Sequence, residues 1–479
     1  MSTWLLFLAL CWVVAYSVIY MTQSTATGLH VLPAYVSREF TGCNEHVFDL
    51  GRRHPTLLKA WFSIGSVVAA AIMLAGTLYL VWNMGLLLAH AVVDADVVAP
   101  LASASVMIPG VTMPFNSLGY LWISIFLAAA FHEFGHALAA ALCEIRMVSV
   151  GVFFALVFPG AYVRFDSYYN IGILDQIKIQ SAGIWHNAIM ALFCALQLAV
   201  LPSLLSPWFV QDHGITVVSM ADFSVLDGIL SVGDVVVSLD HAPTMTLSQW
   251  SGTISNLTWL VDQAMDDTKN ATWKDTGYCV PQIEVLSPVA RMTDTSCCDA
   301  DTESSLHCFS YMPPQVDHAG QTACLDGKRV GDTSVAICSV EAPCAGPTSL
   351  CVVPRVQDAA TLLRVEIADT RVIMLHGYPP DLHAELELSR YAHRTGTTTM
   401  WLHMPTCIER FWHFLYNLSG SLMLFNALPI HYLDGSHLVG SYLHLVVADD
   451  HMRTRVHAAI LTVGDVLLVG TALLSVLPV

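Results

Sequence analysis

The chain is 479 residues long, 55% of them hydrophobic and only 12% charged, with a formal net charge of −18. Soluble domains carry roughly a quarter charged residues, so this composition excludes an ordinary soluble protein and implies a polytopic α-helical membrane protein. About two dozen of the 38 acidic residues lie in one polar stretch between 206 and 405, and no Lys/Arg cluster forms a nucleic-acid footprint, so the acidity describes a solvated domain and excludes a nucleic-acid partner.

The first apolar run, about 4–21, begins Met1-Ser2-Thr3 without a positive residue. That favours a retained anchor over a cleaved signal peptide. Further spans are expected near 60–93, long enough for a kinked span or two, and near 120–143, 178–202, 410–430 and 455–478. The apolar stretch 147–164 contains Gly151, Pro159 and Gly160 and reads as a re-entrant or hairpin segment.

Inside the run Leu121–Cys143 stands His132-Glu133-Phe134-Gly135-His136, which supplies the only ionisable side chains there apart from the cysteine. A helix over this run is about 34 Å long and crosses the hydrocarbon core. Residues four apart share a helix face, so both imidazoles can reach one metal ion, with Glu133 beside it to act on water. Burying such groups in lipid is costly unless they pair or bind something. The reading is an intramembrane metal site, one Zn2+ ion, in a protease. The plainer alternative is three polar residues joining helices by hydrogen bonds.

Between the membrane segments lies a soluble stretch long enough for one domain with its own core. Its first part, Gly214–Ser219, Ser224–Leu230 and Val232–Asp240, alternates short strands around a small helix and a Gly-Asp turn, as PDZ domains do. Residues 361–376 are expected to close that sheet. Such a domain either captures a peptide end by strand addition or serves only as a steric shield. Eight cysteines follow: Cys279, Cys297, Cys298, Cys308, Cys324, Cys338, Cys344 and Cys351. They read as a disulfide framework from an oxidising compartment, with on the order of a hundred possible pairings. A zinc ribbon is the weaker reading, because no pair has the CxxC spacing. Asn256-Leu257-Thr258 and Asn270-Ala271-Thr272 are glycosylation acceptors in the same domain. The expected organisation is therefore 1–95, N-terminal transmembrane segments; 96–205, a catalytic membrane core; 206–407, a PDZ-like α/β domain on the lumenal side carrying a Cys-rich insertion at about 279–351; and 408–479, C-terminal transmembrane segments.

A catalytic zinc takes three protein ligands and keeps one position open. The best third ligand is Asp434, in a polar knot running from Asn426 to His437. Pro429 breaks the preceding helix there, and Gly435 frees the backbone to turn the carboxylate inward.

The ordered set of HEFGH, Ser181-Ala-Gly-Ile-Trp-His-Asn187, Asn426-x-x-Pro429 and Leu433-Asp434-Gly435 resembles the site-2 protease family of intramembrane metalloproteases. Phe158-Pro-Gly-Ala-Tyr162 and the PDZ-like domain with its Cys-rich insertion resemble the eukaryotic branch of that family. The resemblance implies that His132, His136 and Asp434 bind zinc and that Glu133 is the general base. It implies that Asn426 and Asn187 hold the substrate backbone or an oxyanion, or else join helices by hydrogen bonds. Ser436 departs from the second glycine common in prokaryotic members. His431 and His437 flank Asp434 as rival ligands, and His186 reads as a packing residue. The implied substrates are single transmembrane helices of membrane-anchored transcription-factor precursors, already trimmed on the lumenal side, in a multi-pass protein of the endoplasmic reticulum or Golgi. A metal transporter and a catalytically inactive client-binding relative are the alternatives.

Overall fold

The computed structural model describes residues 29–92, 117–266, 276–282, 291–293, 306–312, 322–394 and 401–476, apart from 33, 157, 167–170, 222–223, 225, 227–228, 340–341, 347 and 356–359, together with Val13 and Ser17. The span expected at 4–21 otherwise lies outside these residues. Two compact units divide the chain: Met1–Val200 with Glu409–Val479, and Leu201–Ile408.

The first unit opens with β1 (Leu29–Leu32), β2 (Tyr35–Phe40) and α1 (Asn44–Arg53). There follow α2 (Pro55–Val92), α3 (Leu118–Leu142), the strands β3 (Met147–Ala155) and β4 (Phe158–Phe165), and α4 (Ile173–Leu205). The stretch read as a hairpin is one: β3 and β4 pair antiparallel, with Phe154 opposite Pro159 and Val152 opposite Ala161. They extend into a four-stranded sheet ordered β1-β2-β3-β4. Helix α2 is one continuous helix of 38 residues, not two spans. Its glycines interrupt no hydrogen bond, and no proline follows Pro55 to break the ladder.

The second unit holds β5 (Phe209–Met220), β6 (Val235–Leu239), β7 (Ala242–Pro243), α5 (Leu247–Asp266), β8 (Thr276–Pro281), β9 (Arg291–Thr293), β10 (Leu306–Met312), β11 (Thr322–Asp326), α6 (Gly327–Thr333), β12 (Ile337–Ser339), β13 (Ser349–Pro354), β14 (Thr361–Ile367), β15 (Val372–Gly377), α7 (Pro379–Ala384) and β16 (Leu386–His393). One sheet runs β15-β14-β6-β5-β16 with β7 on β6, so residues 361–376 do pair with the first strands. Trp250, Ile254 and Leu257, spaced along one face of α5, pack on Ile215, Val217, Val236 and Leu239 of this sheet. Of residues 224–230, expected as a small helix, Leu226 and Ile229 lie in turns and Leu230 in a β-bridge, the other described residue, Ser224, being irregular. A second sheet, β12-β8-β13-β10-β11-β9, surrounds Tyr278, Val280, Phe309 and Val352. The Tyr278 hydroxyl donates to Asp240 Oδ1 at 2.6 Å, and the same oxygen accepts the Arg364 N–H at 2.7 Å, which ties the two sheets together. Disulfides join Cys279 to Cys344 and Cys338 to Cys351. Cys308 and Cys324 are also disulfide-bonded, whereas Cys297 and Cys298 lie outside the described residues. Asn256 is exposed on α5, and Asn270 is outside the described residues.

The chain returns to the first unit through α8 (His403–Ala427), followed by α9 (Asp434–Val446) and α10 (Asp450–Val476). Helix α8 stops just before Pro429, as expected of a residue with no N–H to give. Among the described residues four helices are long and apolar enough to cross a membrane: Pro55–Ala89, Leu118–Leu142, Ile173–Leu205 and Asp450–Leu474. Their outer faces carry large bare apolar side chains such as Val67, Trp82, Leu192 and Val466. Such a surface belongs in lipid rather than water, and the protein is an integral membrane protein. The polar side chains face inward: Ser124, His132, His136, Ser181, His186 and Asn187 are all buried.

Candidate active site

Helix α3 is built from residues that favour a helix and let neighbours come close, including Ala128, Ala137, Ala139, Ala140 and Ala141, all buried. Helix α4 crosses its face through glycine. A β carbon on Gly135 would meet the Ala182 carbonyl oxygen and His186 Nδ1 at 2.7 Å each. One on Gly183 would meet His136 Nε2 at 2.4 Å and His132 Nε2 at 2.5 Å. No real side chain tolerates such distances, so both glycines mark close helix approach.

The polar knot after α8 brings in the third residue. A β carbon on Gly435 would lie 2.1 Å from the Leu428 carbonyl oxygen, so the start of α9 presses directly on the chain before Pro429. That approach sets Asp434, the first residue of α9, against α3. Asp434 Oδ2 stands 3.0 Å from His132 Nε2 and 3.2 Å from His136 Nε2, and the two Nε2 atoms are 3.1 Å apart. Nδ1 of His136 donates to the Ile179 carbonyl at 2.7 Å. Asn187 Nδ2 is 3.0 Å from His132 Nδ1. Glu133, next to His132 on α3, accepts the Val163 N–H of β4 through Oε2 at 3.1 Å.

The donor set fits a metal ion. Nitrogen and oxygen donors around a tetrahedral zinc at about 2.0–2.1 Å stand roughly 3.3 Å from one another, close to the separations here. Two neutral imidazoles and one carboxylate suit zinc and leave a coordination position for substrate or water. The missing side chain of Gly183 leaves room at the Nε2 atoms where those donors converge.

The other expected residues are placed as follows. His431 is exposed and paired with Asp465, Nδ1 to Oδ2 at 2.6 Å. His437 lines a separate polar cavity of about 360 Å³ with His444, Arg453 and His457. Neither belongs to the donor cluster. His186 donates to or accepts from no ligand residue; its Nδ1 meets its own helix at Ala182 O, and its ring packs on Phe62 and Phe131. Asn426 is half-buried near the end of α8 and makes no side-chain hydrogen bond among the described residues. The other group of metal-type donors among the described residues, Cys279, Cys338 and Cys344, is taken up by disulfides. Two partners had no sequence signal at all: the Val163 N–H and the Ile179 carbonyl are backbone groups. Gly183 had one, a glycine in the middle of an apolar helix run.

Two histidines and a carboxylate meeting inside an otherwise apolar helical unit, with a glutamate on the same helix as the histidines, give the chemistry of a metal-dependent hydrolase working within a membrane. Fold and site together define an intramembrane metalloprotease. The profile of peptidase family M50 matches residues 120–471, and the chain belongs to that family. It is similar to the membrane-bound transcription factor site-2 protease homolog of Arabidopsis thaliana, 28% identical over an alignment of 453 positions that covers 85% of this chain and 85% of the relative.

Proposed function

We propose that the protein uses one zinc ion, held by His132, His136 and Asp434, to cleave single transmembrane helices of membrane-anchored precursors, with Glu133 as general base. The observation that carries this reading is the meeting of three donor atoms at 3.0–3.2 Å from one another on α3 and α9. When bound, the zinc polarises the carbonyl under attack and makes water acidic enough to lose a proton near neutral pH.

The protein's own groups account for the rest. The Val163 N–H fixes Glu133 through Oε2, which leaves Oε1 to take the proton of the attacking water. The water oxygen bonds to the peptide carbon, the C–N bond breaks, and Glu133 passes its proton to the departing amine. A helical substrate must first give up its internal hydrogen bonds, because no carbonyl is free otherwise. The last strand of the four-stranded sheet, β4, offers backbone groups to a segment that has unwound, on the side where Val163 meets Glu133. Asn426 lies on α8 near the turn into α9 and is assigned to the substrate backbone.

The name of the Arabidopsis relative supports membrane-bound transcription-factor precursors as substrates; that they are trimmed beforehand on the lumenal side is part of the proposal. Residues 206–407 are read as a PDZ-like domain with a Cys-rich insertion that excludes untrimmed precursors. The joining of β14 and β15 to β5 and β6, with α5 against that sheet, supports this reading. The disulfides support an oxidising compartment, in line with the endoplasmic reticulum or Golgi.

The test is cleavage of a single-span reporter by purified protein in liposomes, comparing wild type with Glu133→Gln and measuring zinc on both. The expected result is cleavage within the span by wild type only, with zinc in both. Zinc in both and cleavage by neither, over a range of trimmed reporters, would overturn the reading in favour of an inactive relative or a transporter.

A further inference from the structure

Helix α4 lays three positions, four apart, along the face of α3 that carries the histidines: Ile179, Gly183 and Asn187. Such residues share one helix face. Helix α3 answers with His136 and His132, also four apart, running the opposite way. The Ile179 carbonyl meets His136 Nδ1, Gly183 leaves room at the two Nε2 atoms, and Asn187 meets His132 Nδ1.

His136 has its tautomer fixed by chemistry alone. A carbonyl can only accept, so Nδ1 carries the proton and Nε2 presents its lone pair. His132 has no such carbonyl. Among the described residues its only partner at Nδ1 is the Asn187 amide, which is fully buried. That amide has one atom too many for its surroundings: Oδ1 is buried without a hydrogen-bond partner.

An amide offers a donor or an acceptor according to which way it is turned. With Nδ2 towards the ring, His132 Nδ1 must accept, and the ring proton sits on Nε2, facing Asp434 Oδ2 at 3.0 Å. In that state His132 pairs with Asp434 and has no lone pair for a metal. With the amide turned over, Oδ1 accepts from Nδ1–H, and Nε2 becomes a ligand. Metal-bound histidines generally donate their second nitrogen to an oxygen, which fixes both tautomer and ring orientation.

We infer that Asn187 is a positioning residue of the metal centre: its Oδ1 accepts the Nδ1 proton of His132 and holds the tautomer that presents Nε2 to zinc. This rests on the metalloprotease reading of the same site, and it gives Asn187 a task on the ligand rather than on the substrate. Ile179 performs the same task for His136 through its backbone, which no substitution of its side chain removes.

The experiment measures zinc affinity of the purified full-length protein by competition with a chromophoric chelator. The variants are Asn187→Asp, which keeps an oxygen acceptor, and Asn187→Leu, which has similar volume and no acceptor. Asn187→Leu is expected to weaken zinc binding by about 10–100-fold, and Asn187→Asp to stay within about threefold of wild type. Cobalt substituted for zinc is expected to show an altered visible spectrum in the leucine variant and a preserved one in the aspartate variant. Where Asn187→Leu is not recovered folded, Asn187→Val takes its place in the same comparison. A leucine or valine variant that binds zinc as tightly as wild type but no longer cleaves would overturn the inference and return Asn187 to the substrate. An aspartate variant as weak as the leucine one would overturn it as well. A wild type that neither binds zinc nor cleaves would overturn the metalloprotease reading itself, whereas a wild type that does both leaves the comparison to decide on Asn187 alone.

Discussion

A β carbon on Gly183 would stand 2.4 Å from Nε2 of His136. The glycine is there for the side chain it lacks, because the space beside it is where the donor atoms converge. Gly183→Ala is therefore expected to lower zinc occupancy by at least about tenfold, since the methyl group pushes one imidazole off the common point. Gly135→Ala collides with the Ala182 carbonyl and the His186 ring instead. It should act on helix packing, at about 1–3 kcal/mol, and lower the unfolding temperature. Metal content and thermal unfolding, measured on both variants, separate the two effects. Full zinc occupancy in Gly183→Ala would contradict the assignment.

The Val163 N–H that meets Glu133 is a backbone group, so only proline removes it. Strand β4 is the end of its sheet, and Val163 N is engaged by Glu133, so proline is tolerable at this edge. Losing a hydrogen bond to a charged group costs about 1.5–3 kcal/mol, or roughly 10–100-fold in rate if it is felt in the transition state. Val163→Pro is expected to reduce kcat by that factor while zinc content stays at the wild-type level. Cleavage at the wild-type rate would show that Glu133 needs no such support.

The core of the site was legible in the sequence because each of its parts broke a local rule. His132, Glu133 and His136 are ionisable residues in an apolar run, and Asp434 follows a proline that ends a helix. The hairpin at 147–164 was legible through Pro159-Gly160. What escaped depends on distant pairing. Strands β1 and β2 carry no distinctive pattern, yet β2 pairs with β3 from Tyr35 opposite Ala155 to Phe40 opposite Val150. The partners of Glu133 and His136 are main-chain atoms that every residue possesses. Asn187 was visible, but its partner was not, since the contact spans 55 positions between two helices.

In the second unit, Cys279–Cys344 closes a loop of 65 residues and Cys338–Cys351 one of 13. On the chain-entropy account the longer loop contributes roughly 4 kcal/mol and the shorter about 3. Both hold β8, β12 and β13, which form one end of the second sheet. Reduction should speed hydrogen exchange in these strands and leave the zinc content of the first unit unchanged. Cys344→Ala is expected to have a larger effect than the loss of Cys338–Cys351. Exchange in β8 and β13 that ignores reductant would contradict this.

Two histidines of the same unit link its sheets in a pH-dependent way. His307 on β10 and His376 on β15 stack with ring centroids 5.4 Å apart. Burial lowers the pKa of His307 below its ordinary value of about 6.5, and the neighbouring His376 lowers it further, with Asp326 opposing. Burial also lowers that of His376, although its outer side meets solvent. Both groups therefore prefer to be neutral when folded. Below about pH 6.5 the unfolded chain takes up protons that the folded pair refuses, so stability falls as the medium becomes acidic. It is fully present above about pH 7. Hydrogen exchange in β10 and β15, corrected for the intrinsic effect of pH, should rise between pH 7.5 and pH 5.5 in wild type. It should rise less in His307→Phe, which keeps the stacked ring and cannot titrate. Equal acid sensitivity in both proteins would assign the effect to other groups.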